Sequence, residues 1–214
     1  KLSQYQLAKK VDSKGREKLL DEGNVSTLFL ERNLQLLKDG GRVGIILPET
    51  YFHAPNQQMV RNFIFKHNIQ WIIDLPHNTF RPHNNAKCIA IVIQKNRPQQ
   101  NNVHMAVAEY IGHDHNGKPL YKYDEAKQTY TNEILDDTNI IIEEIKQKRI
   151  NPNYKTKYIF DVEFSDIIKT GILVPRYYWN SKREEIEEKA RKEDITMVSL
   201  KTLIEKKIIS FFDG

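Results

Sequence analysis

Between Asp74 and Glu109 the chain carries no acidic residue, yet the interval holds Arg81, Lys87, Lys95 and Arg97 and the imidazoles of His77, His83 and His104. Such a stretch suits a polyanion, because nothing in it repels phosphate and several side chains attract it. Within it the segment LPHNTFRPHNNAK, residues 75–87, sets Phe80 between Thr79 and Arg81. An aromatic in a polar loop has two uses. It packs the loop down, or it offers a face on which a nucleobase stacks while neighbouring cations and amides hold phosphates. The loop follows an apolar run that ends at Asp74, and in α/β sheets ligands bind outside the carboxyl ends of strands. That position makes it the candidate site.

Other constellations fail on context. A phosphate cradle needs spaced glycines between a strand and the helix it opens, whereas Gly40, Gly41 and Gly44 stand at a turn that precedes a strand. His113-Asp114-His115 has metal-binding residue types, but it adjoins the turn signal Asn116-Gly117 and has no cysteine partner, so it reads as a polar turn and no metal is expected. Cys88 opens an apolar run and reads as a small core residue, with nothing beside it to stabilise a thiolate. No Ser/His/Asp triad is legible.

The elements that must carry the loop follow from periodicity. A short helix is expected around Leu2–Val11. Ser26 or Thr27 is expected to cap a helix reaching about Lys38, with Leu30, Leu34 and Leu37 at helical spacing and Asp39-Gly40-Gly41 as its stop. The apolar runs Arg42–Leu47, Ile69–Asp74 and Cys88–Ile93 read as buried strands, with a helix over Asn56–His67 between the first two. Val103–Ile111 and Pro119–Tyr123 flank Asn116-Gly117 as a β-hairpin. Alternating helices and apolar strands predict an α/β domain whose sheet is largely parallel and ends in an antiparallel hairpin. Beyond it, Asn132–Arg149 reads as a helix, INPNYKTK as a linker, Ile159–Phe164 as a half-buried strand and Ser181–Asp194 as a solvated helix with Glu/Lys pairs.

At 214 residues with 29% charged and 10% aromatic residues and a net charge of +5, the chain is a folded, mildly basic protein rather than a disordered tail. Residues 1–131 carry a net +6 and residues 132–214 a net −1. No apolar run approaches the ~20 residues that cross a bilayer. The single cysteine permits no internal disulfide, and a cytoplasmic setting is expected. The sequence begins KLSQYQLAKK and ends at an apolar run leading into Asp213-Gly214, and it reads as a piece of a longer protein.

The strings TLFLERNLQLLKDGGRVGIILPETYF and WIIDLPHNTFRPHNNAKCIAIVIQK resemble the amino-methylating DNA adenine methyltransferases of restriction-modification systems. The likeness spans roughly residues 25–125 and is greatest to type I modification subunits and to the fused modification-specificity chains of some type II enzymes. It implies the C-terminal half of a Rossmann-like α/β domain that uses S-adenosylmethionine. It also implies that Phe80 packs against an adenine flipped out of double-stranded DNA, with Arg81, His83, Asn84, Asn85 and Lys87 on the DNA-facing wall beside it. The family's glycine-containing cofactor loop and its Asn/Asp-Pro-Pro-aromatic catalytic motif have no counterpart here; Asn96-Arg97-Pro98 and Asn151-Pro152-Asn153 do not match. Both motifs belong before the helix of residues 27–38, so no catalytic residue is expected in this chain and no tightly bound cofactor. TGILVPRYYWN, residues 170–180, resembles the entry to a DNA-specificity domain, with Pro175, Tyr177 and Tyr178 as structural anchors. The implied organisation is 1–131 methyltransferase half-domain, 132–153 helix and linker, and 154–214 start of the specificity region. Specificity and restriction subunits are the implied partners, with no membrane. A module that binds nucleic acid or assembles subunits without chemistry is the alternative.

Overall fold

In the computed structural model, which describes residues 2–11, 17–20 and 23–210, the chain divides into two compact units, 1–178 and 179–214. The first opens with a 3-10 turn at Leu2–Gln4, where a helix to Val11 was expected, followed by a small ladder of β1 (Lys9–Val11) and β2 (Glu17–Leu19). Helix α1 (Val25–Leu36) is capped by Asn24, two or three positions before the Ser or Thr predicted, because the Asn24 Oδ1 accepts from the amides of Ser26 and Thr27. Its buried Leu30 and Leu34 face the sheet.

Strand β3 (Arg42–Pro48) leads through α2 (Thr50–His53), a 3-10 turn and α3 (Gln58–Ile64) into β4 (Asn68–Asp74). The loop of residues 75–87 then returns as β5 (Cys88–Gln94), and β6 (Asn102–Val107) follows. With β9 (Ile159–Glu163) these form one five-stranded sheet in the order β3-β5-β4-β6-β9. The largely parallel sheet expected from alternation is not what forms. Only β4 and β6 pair in parallel, and the other three pairings are antiparallel. The reason lies in the connections. A helical crossover joins β3 to β4 and lets them run the same way, but no helix separates β4 from β5, so β5 turns back and wedges between them.

A bulge between Ile69 and Trp71 lets Ile69 and Ile72 share one face of β4 and Trp71 and Ile73 the other. The Gln99 side chain fills it, accepting from Ile69 N at 2.7 Å and donating to Ile69 O at 3.2 Å. The main core lies on the first face, where Phe52, Val60, Phe63 and Ile64 meet Ile45, Ile89, Ile91 and Met105. A smaller cluster on the second face joins Trp71, Ala106 and Ile159 to Ile141 of α4 (Thr138–Ile150).

The expected hairpin sits further along. Asn116-Gly117 forms a tight turn closed by the bridge His113↔Pro119, while the ladder itself is β7 (Tyr121–Asp124) with β8 (Thr129–Ile134), so the predicted helix from Asn132 begins at Thr138. After β9, α5 (Phe164–Thr170) ends at Gly171, whose φ of +67 supplies the left-handed C-terminal residue, and α6 (Pro175–Tyr178) closes the unit. The first unit's sheet thus takes in residue range 159–163, past the boundary expected near Tyr154.

The second unit holds α7 (Ser181–Lys192) and α8 (Leu200–Glu205). The α7 surface carries Lys192–Glu188 and Lys189–Glu193 pairs four residues apart, and Ser199 caps α8 through the Thr202 amide. Asp213-Gly214 lies outside the described residues.

Candidate nucleic-acid interface

The loop of residues 75–87 leaves the carboxyl end of β4 and is built from its own polar groups. Thr79 N and Oγ1 both donate to Pro76 O, Arg81 N donates to Asn78 O, and Asn84 N to Phe80 O. Asn84 then accepts from Ala86 N through its side chain. These short turns satisfy the backbone locally, so the loop needs no apolar core to hold its shape. They leave Phe80 at the surface with 36% of its area exposed.

His83, Asn84 and Asn85 are exposed and Arg81 is half-buried. The Arg81 Nε is buried without a hydrogen-bond partner. Lys87 departs from the expected outward position. Its ammonium turns in to Asp74 Oδ1 and Leu75 O, because the Asp74 carboxylate is fully buried at the strand end and requires a cation. The loop is backed on one side by the Asn116-Gly117 turn. Gly117 has φ +80, and a Cβ there would lie 3.1 Å from Pro82 Cδ, so only glycine suits both the turn and the contact.

Sequence reasoning missed the neighbours of this loop. An open cleft of about 410 Å³ is lined by Glu49, His77, Lys87, Glu109, Tyr110 and Arg176. Arg176 arrives from α6, far along the chain, and its Nη2 donates to Asp74 Oδ1 at 3.2 Å and to Ala108 O at 3.1 Å. The available signal was the Asp at the end of an apolar run, since a carboxylate at a buried strand end demands partners from elsewhere. Of the expected anchors, Pro175 is buried and Tyr178 bonds to Ile172 O and Thr170, while Tyr177 is 59% exposed.

The rejected constellations have local explanations. Asp114 Oδ1 accepts from the amides of Asn116 and Lys118, and that backbone bond to Lys118 leads the effects that hold its carboxyl below the ordinary range. Burial pushes the Cys88 thiol up, against a smaller opposing effect of Lys87, so it is a poor thiolate. On the sheet's second face Asp161 joins His104 Nδ1 at 2.7 Å and the buried Lys148 at 2.7 Å. Burial alone would raise the Asp161 carboxyl, but the hydrogen bonds from Lys148 and His104 outweigh it and hold it low.

The fold recurs in known structures. At TM-score 0.52 and 18% identity, 86% of the chain overlays 40% of a chain from a structural study of complex assembly and conformational transition in a type I restriction-modification system. A type I restriction-modification system methyltransferase subunit from Streptococcus thermophilus overlays at TM-score 0.52 and 20% identity, over 74% of this chain and 31% of that one. The chain thus spans less than half the length of these structures. No curated protein sequence matches it significantly. The sequence model of the N-6 DNA methylase family, however, matches residues 4–188, most of the chain and all of the sheet and loop just described, and the chain belongs to that family.

Proposed function

We propose that the chain is part of a site-specific DNA methyltransferase of a restriction-modification system, which transfers a methyl group from S-adenosylmethionine to the exocyclic amine of an adenine flipped out of double-stranded DNA. The observation that carries this reading is Phe80, exposed on an acid-free loop at a strand's carboxyl end beside the half-buried Arg81. An unstacked base requires a flat apolar partner, and the phosphates flanking it require cations and amides. Phe80 supplies the first, and Arg81, His83, Asn84 and Asn85 the second. Lys87 pairs with Asp74 at the loop's base and lines the adjoining cleft.

These residues do not fit S-adenosylmethionine. Gly40, Gly41 and Gly44 form no cradle, and the carboxylate at the strand end, Asp74, is taken up by Lys87 and Arg176 instead of standing open to ribose hydroxyls. The cofactor loop and the groups that position the adenine amine therefore come from sequence outside these residues, and no chemical step is assigned to this chain. The part of the chain from Pro175 onward leads toward a specificity region, and the whole enzyme works in the cytoplasm with specificity and restriction subunits.

Titrating S-adenosylmethionine into the 214-residue chain in a calorimeter is expected to give no binding at micromolar concentration, and micromolar affinity would contradict the division of labour. In the complete enzyme, Phe80→Ala is expected to depress methylation of duplex DNA, and unchanged turnover would reject the stacking role.

A further inference from the structure

The loop that carries Phe80 is closed at its base by one buried carboxylate. Asp74, at the loop's start, is fully buried, and Lys87, at its end, returns its ammonium to Asp74 Oδ1 and to Leu75 O. Arg176 donates to the same Oδ1 and to Ala108 O, and Ala108 N in turn donates to Asp74 O. Oδ2 of Asp74 has no partner, so both cations act through a single oxygen. Two donors that share one acceptor are coupled, since moving either changes the geometry offered to the other.

We propose that Arg176 is a positioning residue for the Phe80 loop. From α6, three residues before the second unit begins at Trp179, it fixes Asp74, and through Asp74 and Lys87 it fixes both ends of the loop. The segment leading to the second unit is thereby wired to the loop. That Arg176 holds the loop stands on the geometry alone; that the held loop presents a base-stacking face rests on the function proposed above.

The test reads the two claims separately. Hydrogen exchange of the 214-residue chain without DNA reports the loop through the amides of Thr79, Arg81 and Asn84, which are bonded within it. Arg176→Ala is expected to speed their exchange by about tenfold, as loss of a charge-assisted hydrogen bond allows local opening, while the amides of β3 and β5 stay protected. Arg176→Lys is expected to restore most of the protection, because it keeps the charge on Asp74. Should Arg176→Ala fail to fold, Arg176→Gln, which keeps a donor for Ala108 O but drops the charge, is expected to show the same loop-confined rise. Unchanged loop exchange in the folded Ala or Gln variant would overturn the proposal. With the complete enzyme on duplex DNA carrying 2-aminopurine at the target adenine, a Phe80-dependent fluorescence change that weakens in Arg176→Ala and returns in Arg176→Lys is the expected second reading. A Phe80-dependent change that is the same in wild type and Arg176→Ala would also overturn the positioning role, whereas no Phe80-dependent change in wild type would count against stacking alone.

Discussion

The side chains that matter most here divide into those that close the structure and those that leave something open. Lys148 is buried against Asp161 and Tyr154 O, so Asp161→Asn leaves a buried ammonium without its counter-charge, facing neutral acceptors only. It is expected to cost about 3 kcal/mol, the low end for breaking a buried pair since Asp161 is itself only partly buried, as read by urea unfolding. The same carboxyl sets a pH dependence. Its folded-state pKa is below the ordinary value, so its contribution is complete above the ordinary carboxylate range and is lost as pH falls from there through the lowered folded value. Unfolding free energy measured against pH should therefore drop over that acidic interval in the native protein and drop less in Asp161→Asn. Arg81 keeps only part of its side chain at the surface. If it meets a phosphate, Arg81→Ala should weaken DNA binding and reduce the slope of log K against log salt by about 0.9, measured by titration at several ionic strengths. The loop that carries Phe80 and Arg81 was legible in the sequence as a candidate because a basic, acid-free string with one aromatic is a local property. The inward turn of Lys87 and the arrival of Arg176 were not, since both depend on a buried carboxylate whose partner lies a hundred residues away.

At the scale of elements, capping and loop chemistry decide where the sequence was readable. Asn24 accepts two helix amides and the Tyr51 hydroxyl, so Asn24→Ala is expected to lower stability by about 1 kcal/mol or slightly more, measured by thermal or urea unfolding. Gly171→Ala meets no close atom but must hold a positive φ, and a loss of about 1 kcal/mol is expected from backbone strain alone. The buried strands were legible as apolar runs, and β3, β4 and β5 lie within a residue or so of where the runs placed them. Their directions were not legible. Alternation of helix and strand implies parallel neighbours only while helices keep intervening, and the loop of residues 75–87 breaks that sequence by joining β4 to β5 without one. The same substitution of a loop for a helix creates the candidate site, because it places Phe80 and its polar neighbours beyond the strand's carboxyl end. The hairpin was misplaced since Asn116-Gly117 is a strong turn signal wherever it occurs, and here it braces Pro82 instead of joining two long strands.

The molecule as a whole has one well-packed unit and one that is mostly surface. Among the residues of 179–210 whose side chains are described, only Ala190 is buried, and Ile195, Met197, Leu200 and Ile208 are each more than half exposed. A unit with so little buried apolar area contributes little to stability by itself. A chain ending at Tyr178 is accordingly expected to unfold with nearly the midpoint of the 214-residue chain; a markedly lower midpoint would contradict this. The central claim concerns what the first unit does, namely that the Phe80 loop receives an unstacked adenine. Its most direct measurement is the fluorescence of 2-aminopurine substituted for the target adenine in duplex DNA bound by the complete enzyme. The account predicts a fluorescence increase on binding that is partly quenched by stacking on Phe80 and that grows brighter in Phe80→Ala, where the flipped base loses its aromatic partner. Identical fluorescence in the native enzyme and in Phe80→Ala, at equal occupancy of DNA, would contradict it.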